Sequence, residues 1–292
     1  MNRTEKFLKR INRLLDRLES LIPSPRDENV DVDYAIAWRW RSDGKEKRLQ
    51  PIRRFNSIAL DDLLHIERQK QTLERNTRQF LAGLPANNAL LWGPRGTGKS
   101  SLVKALLNHF AADGLRLIEV DRLDLVDLPD IIDRLDGSNA RFIIYCDDLT
   151  FDGHDATYRA LKTVLDGSVL ETPDNVVIYA TSNRRHLLPE MQADNQATRV
   201  ADGELHYAEA IEEKTSLSER FGLWLSFHPL NQERYLDIVD HWLEAYATAG
   251  DDLLAAREAA LQWALLHGSR SGRTAYQFAR DWSGRRALES RT

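Results

Sequence analysis

Two hydrophobic rhythms divide this chain of 292 residues. Over residues 4–22, Phe7, Leu8, Ile11, Leu14, Leu15, Leu18 and Ile22 recur at helical spacing with Lys and Arg between them. That pattern predicts an amphipathic helix, ended by Pro23 and Pro25. Tyr34–Arg41 then alternates with period two ahead of Ser42-Asp43-Gly44, which predicts a small β-hairpin. From Leu60 onward the rhythm becomes one of strands separated by helices. Strands are expected near 89–92, 115–120, 141–147 and 176–181, with helices near 66–81, 99–112, 129–136 and 155–168. The last sixty or so residues carry helical spacing alone, near 231–248, 251–267 and 273–283.

Alternating strands and helices are the signature of a parallel α/β sheet. The pattern divides the chain into an N-terminal extension of helix and hairpin (1–57), an α/β domain (58–229) and a small helical domain (230–292). Residues 190–215 are polar with little periodicity and read as a long loop or insertion, a class of segment that is usually functional or mobile.

Composition narrows the setting. The chain is 42% hydrophobic and 29% charged, ordinary values for a globular protein, and no apolar stretch approaches the roughly 18 residues of a membrane span. Met1–Lys9 lacks the apolar core of a secretion signal. A single cysteine, Cys146 within an apolar run, allows no internal disulfide and reads as a buried, inert thiol. A cytoplasmic setting is expected. The net charge of −5 argues against nucleic-acid binding by the whole surface. The basic N-terminal segment leaves room for a local anionic partner, with a solvated helix face as the plainer reading.

The chemistry begins at Gly93-Pro94-Arg95-Gly96-Thr97-Gly98-Lys99-Ser100, a complete G-x-x-x-x-G-K-S phosphate loop. It follows the apolar Ala89-Leu90-Leu91-Trp92 and precedes a helical pattern that starts near Lys99 and runs through Ser101 and Leu102, the strand–loop–helix setting the motif requires. Glycines let successive N–H groups turn toward phosphate, and the positive end of the helix faces the same anion. Lys99 is expected to reach the β- and γ-phosphates and Ser100 to hold Mg²⁺. Further along, Phe142-Ile143-Ile144-Tyr145-Cys146 ends in Asp147-Asp148. This is a Walker B pattern, with Asp147 on the metal and Asp148 polarising water. A third buried run, Val176–Ser182, ends in Asn183, an amide suited to hold the γ-phosphate and its water.

In this order, phosphate loop, Asp-Asp strand and Asn strand, the chain resembles the AAA+ ATPases over about residues 58–285. The resemblance implies a parallel-sheet ATPase domain with a helical lid, ATP or ADP and Mg²⁺ as ligands, and Asn183 as sensor 1. Thr215–Gly222, with Ser216 and Glu219 as a capping pair, is similar to the segment presenting an arginine finger to a neighbouring subunit, which makes Arg220 the finger. Gly268–Thr274 resembles sensor 2, with Arg273 in the sensing position, and Leu64 and Ile66 match the flank of the adenine. A homo-oligomeric ring or open arc, of which a hexamer is one form, and an unidentified protein client are also implied. The runs 86–93 and 215–227 further resemble a bacterial branch of predicted ATPases.

Two departures qualify the likeness. Asp148 stands where most AAA+ members have Glu, a pairing shared with replication initiators and loaders, and this favours a switch over a fast motor. Residues Val120–Pro129 lack the aromatic with which threading unfoldases grip a chain. Trp224, Trp242, Trp263 and Trp282 fall at apolar positions and are expected in the core, whereas Trp38 and Trp40 share one strand face and could pack or stack on bases. No metal-ligand spacing and no guanine signature Asn-Lys-x-Asp occur. The reading is an ATPase that remodels a protein or protein–nucleic-acid partner. An ATP-regulated binding module and a phosphoryl transferase are the alternatives.

Overall fold

The computed structural model describes residues 34–42, 46–55, 58–151, 156–166, 173–184, 217–246 and 253–289. The expected helix at 4–22, the hairpin turn at 43–44, the segment 190–215 and Ser216 lie outside them. The described strands are β1 (Ala37–Ser42), β2 (Lys47–Pro51), β3 (Ala89–Trp92), β4 (Leu115–Glu119), β5 (Arg141–Cys146), β6 (Val176–Ser182) and β7 (Leu223–Ser226). They form one sheet in the order β2-β1-β4-β5-β6-β3-β7. All neighbours are parallel except the β1–β2 hairpin.

Two features of this sheet were not legible in the chain. The hairpin joins the main sheet: Ala37 lies opposite Leu117 and Trp38 opposite Ile118, so β1 continues the parallel array beyond β4. At the other edge β7, four residues too short to show a period, pairs with β3.

Helix α1 (Glu67–Leu81) and helix α2 (Lys99–Phe110) cover one face. Leu73, Asn76, Thr77 and Phe80 of α1 lie on one stripe at helical spacing and are buried. With Leu102, Val103 and Leu106 of α2 they pack over Leu91, Leu117, Ile143 and Tyr179. The polar members of that stripe are satisfied, since Asn76 Nδ2 and Thr77 Oγ1 lie 3.0 and 2.9 Å from the buried Tyr179 hydroxyl. Residues of opposite parity, Leu90, Ile118, Ile144 and Ile178, are equally buried, as both faces of a covered parallel sheet require. On that second face lie a 3₁₀ segment (Arg122–Asp127), α3 (Leu128–Leu135) and α4 (Ala156–Leu165). Trp40 is wholly buried there, donating from Nε1 to Asp127 and stacked under the Arg134 guanidinium, and Trp38 is 3% exposed. Neither indole is available to stack on a base. Cys146 is buried too, and burial pushes its thiol up to about 12.

The C-terminal helices α5 (Gln232–Ala245), α6 (Leu253–Leu266) and α7 (Gly272–Glu289) surround a second apolar cluster of their own. Helix α6 turns Ala256, Ala260 and Ala264 inward, four residues apart, and these small side chains let its neighbours approach closely. Tyr235 reaches across to the Ala260 carbonyl at 3.0 Å. Leu230, just ahead of α5, and Leu64, in the segment ahead of α1, pack on the same cluster, and Leu64 connects it to that segment.

Candidate nucleotide site

Strands β3, β5 and β6 end on the same edge of the sheet, and the three chemical motifs end with them. Between β3 and α2 the loop turns through left-handed glycines, Gly96 at φ 76° and Gly98 at φ 98°. Gly98 is the N-cap of α2 and supplies no side chain to the first turn, so the helix N-terminus is left for a ligand. The loop has no room for bulk. A Cβ on Gly93 would sit 2.2 Å from the Phe227 carbonyl oxygen, and one on Gly96 would sit 2.6 Å from Ser271 Oγ. Thr97 Oγ1 closes the turn on the Pro94 carbonyl at 2.9 Å.

Lys99 is 6% exposed and folds back into this loop. Its ammonium donates to the carbonyls of Gly93 (2.7 Å) and Pro94 (2.8 Å) and to Asn183 Oδ1 (3.2 Å). Burial lowers its pKa against the opposing pull of Asp147 and Asp148. Ser100 Oγ donates to Asp147 Oδ1 at 2.7 Å, and Thr181 Oγ1 donates to the same oxygen at 2.5 Å. Burial alone would raise the Asp147 carboxyl, but the hydroxyls of Thr181 and Ser100 hold it below its ordinary value, so it stays an anion. Asp148 takes a left-handed backbone, φ 53°, with its N–H on Thr181 Oγ1 at 2.9 Å. Asn183 Nδ2 donates to Asp148 Oδ1, and Arg95 Nη2 lies 3.5 Å from Asp148 Oδ2.

These groups line one cleft of about 770 Å³, together with Ser101, Lys104, Leu64, Ile66 and Arg273. Gly93 and Pro94 do not line it and contribute through their carbonyls to Lys99. Arg273, at the start of α7, reaches the cleft because the Gly272 N–H donates to the Gly96 carbonyl at 2.9 Å, which joins loop and helix directly. Arg220 is elsewhere: its Nε donates to Asp166 at the end of α4, and it does not line the cleft.

Sequence reasoning missed several members. Thr181 was within reach, lying two positions before Asn183 on one strand face and so pointing the same way. Asp62 and Leu63 lie in the same short segment as Leu64 and Ile66, whose resemblance already pointed there, whereas Ile58, Leu230, Ile238, Tyr246 and Tyr276 had no local signal. Trp242 departs from its expected place: it packs against the C-terminal cluster but also lines the cleft, edge-on to Tyr276 with centroids 4.8 Å apart. Sidedness of α5 could not be read before the position of the cleft was known. Two acid–histidine pairs bridge this end, His241 to Asp62 at 3.2 Å and His65 to Asp237 at 3.0 Å.

The residues fit a nucleoside triphosphate with a divalent cation. A glycine cradle and an uncapped helix end suit phosphate, and an apolar, aromatic end suits a base. Ser100 and Asp147 supply oxygen donors to a hard cation. Among the described residues no group of three or more His, Cys, Asp or Glu could hold a metal, so the remaining ligands would come from phosphate and water. Also among them, no helix is long and apolar enough to cross a membrane.

The chain is similar to several known proteins over parts of their length. The replication factor C large subunit of Ignicoccus hospitalis is 36% identical over 73 residues, 24% of this chain and 15% of that one. The chaperone ClpB of Rickettsia felis is 22% identical across 66% of this chain and 28% of its own. The chain thus spans less than a third of the length of the curated relatives it matches. Among solved structures, the RuvB Holliday junction branch migration motor of Thermotoga maritima aligns at 17% identity and a TM-score of 0.48, covering 76% of this chain and 63% of that one. A family model described as "Protein of unknown function (DUF815)" matches residues 33–286, from the hairpin through the sheet to the last helix. That match takes in the greater part of the chain, which therefore belongs to the DUF815 family.

Proposed function

We propose that this chain binds ATP with Mg²⁺ and hydrolyses it to drive a change in a protein or protein–nucleic-acid partner. One observation carries the reading: Lys99, Ser100, Asp147, Asp148 and Asn183 come from three separate segments and converge on a single cleft floored by the phosphate loop. Ser100 and Asp147 would hold the cation, whose charge neutralises phosphate oxygens as they accumulate electron density. Lys99 would exchange the carbonyls of Gly93 and Pro94 for the β- and γ-phosphates. Asp148 and Asn183, already hydrogen-bonded to each other, would orient the attacking water. Arg273 enters from α7 and would report the terminal phosphate to the three C-terminal helices, which act as the lid. Arg220 points away from its own cleft and is the group we assign to a neighbouring subunit's phosphate. Leu64 and Ile66, with Trp242 and Tyr276, would enclose adenine. Two matched proteins are named for a replication factor and a chaperone, which supports a remodelling role over a metabolic one.

A second reading, an ATP-regulated binding module with little turnover, draws on the short Asp148 side chain, whose two oxygens are both engaged. Phosphate release from ATP separates the two. Wild-type protein is expected to release phosphate, and Lys99→Ala to lose both release and nucleotide binding while remaining folded. Unchanged ATP affinity in Lys99→Ala would remove the phosphate-loop assignment. Tight ATP binding by the wild type without release would leave the module. Asp148→Asn is expected to hold ATP unhydrolysed and to retain its partner in a pull-down.

A further inference from the structure

A cation stands where the phosphate loop would ordinarily need none. Arg95, the second residue after Gly93, projects from the loop with 77% of its side chain exposed and meets Asp148 Oδ2 at 3.5 Å. The other oxygen of Asp148 is taken by Asn183 Nδ2, and Asn183 Oδ1 in turn accepts from Lys99. Lys99, Asn183, Asp148 and Arg95 therefore form one chain of contacts across the mouth of the cleft. In this arrangement both oxygens of Asp148 are engaged, Oδ1 by the Asn183 amide and Oδ2 by the Arg95 cation. We propose that Arg95 is a specificity-determining residue for the γ-phosphate, exchanging Asp148 for the terminal phosphate and so freeing that carboxylate only when a triphosphate is bound.

Energetics favour the exchange. An exposed arginine–carboxylate contact at 3.5 Å is long, screened and singly bonded, and such pairs contribute little. A phosphate offers the same guanidinium two parallel charge-assisted hydrogen bonds. The reach is short, because Arg95 lines the same cleft as Gly98, Lys99 and Ser100. A diphosphate ends one phosphate earlier and leaves Arg95 on Asp148. The loop itself need not move. Gly96 is tied to Gly272 and pressed against Ser271, so the exchange is a side-chain rotation beside a fixed backbone.

This inference rests on the triphosphate reading above and deepens it. The test is the affinity of full-length protein for fluorescent ATP and ADP analogues with Mg²⁺. Wild type is expected to prefer the triphosphate. In Arg95→Ala that preference should fall roughly tenfold, the scale of one charge-assisted hydrogen bond, with diphosphate affinity unchanged. Arg95→Lys should recover part of it and Arg95→Gln none, which separates charge from packing. Labelled arginine Nε resonances give an activity-free readout: the Arg95 signal should shift with the triphosphate and stay in place with the diphosphate. An Arg95→Ala protein that keeps the wild-type preference, or an Arg95 signal that responds equally to both nucleotides, would overturn the exchange while leaving the ATP site intact. Wild-type protein that binds neither nucleotide would overturn the site and the exchange together.

Discussion

Asp127 shows how one side chain can secure an edge of the sheet. It is 6% exposed and accepts from Trp40 Nε1 at 3.1 Å while meeting Lys47 Nζ at 2.7 Å, so it ties the 3₁₀ segment to both strands of the β1–β2 hairpin. Burial by itself would raise its carboxyl, but hydrogen bonds from Lys47 and Trp40 bring it below its ordinary value. Hydrogen bonds to Asp127 and Asp130 raise Lys47. The signs follow. The Asp127 contribution is present above the unfolded carboxyl value of about 3.9 and is lost as pH falls through the lower folded value. The Lys47 contribution is present below about 10.4 and is lost as pH rises through its higher folded value. Asp127→Ala leaves a buried indole N–H without its acceptor and is expected to cost about 1–3 kcal/mol near neutrality. Urea unfolding of wild type and variant should show a gap that is constant between about pH 5 and 10 and narrows beyond either end; a gap indifferent to acid would refute the pairing.

At the scale of elements, α5 and α7 form one wall of the cleft, and their aromatic residues close its apolar end. Tyr276 of α7 lies near Trp242 of α5 and Tyr246, the residue just past that helix, with centroids 4.8 and 6.4 Å away. If this wall holds the base, Tyr276→Ala should weaken ATP and ADP alike by about tenfold, the scale of an aromatic contact with its buried area, and leave inorganic triphosphate binding untouched. Isothermal titration with the three ligands tests it, and equal loss for triphosphate alone would place Tyr276 at the phosphate end. Asp62–His241 and Asp237–His65 couple α5 to the segment preceding α1, so this wall is fixed to the sheet domain at its base end. Its other attachment is the Gly272–Gly96 hydrogen bond at the phosphate end.

For the molecule as a whole, the position of Arg220 matters most. Its contact with Asp166 lies away from the cleft that holds Arg95, Lys99 and Arg273. In the assembly proposed above, an arginine there would serve a phosphate of another copy of the chain. Turnover per subunit is accordingly expected to rise with protein concentration, and Arg220→Ala to lower the plateau by roughly 10³–10⁵-fold with ATP binding retained. Mixing the Arg220→Ala and Lys99→Ala chains should restore part of the activity, since each supplies what the other lacks. Turnover independent of concentration and of Arg220 would mean that each subunit works alone.

The sequence by itself determined whatever is contiguous along the chain. The phosphate loop, the paired acids, Asn183 and the helices and strands that carry them are set by neighbours a few residues apart, and local spacing encodes them directly. It also placed each motif at a strand end, because each closes an apolar run. Only the tertiary structure decided that β1 lies beside β4, that the four-residue β7 lies beside β3, and that Thr181 braces Asp147 while Arg95 meets Asp148. It alone turned Trp242 toward the cleft. Those outcomes depend on strand order and helix rotation, which join residues tens to more than a hundred positions apart and leave no period in the chain to be read.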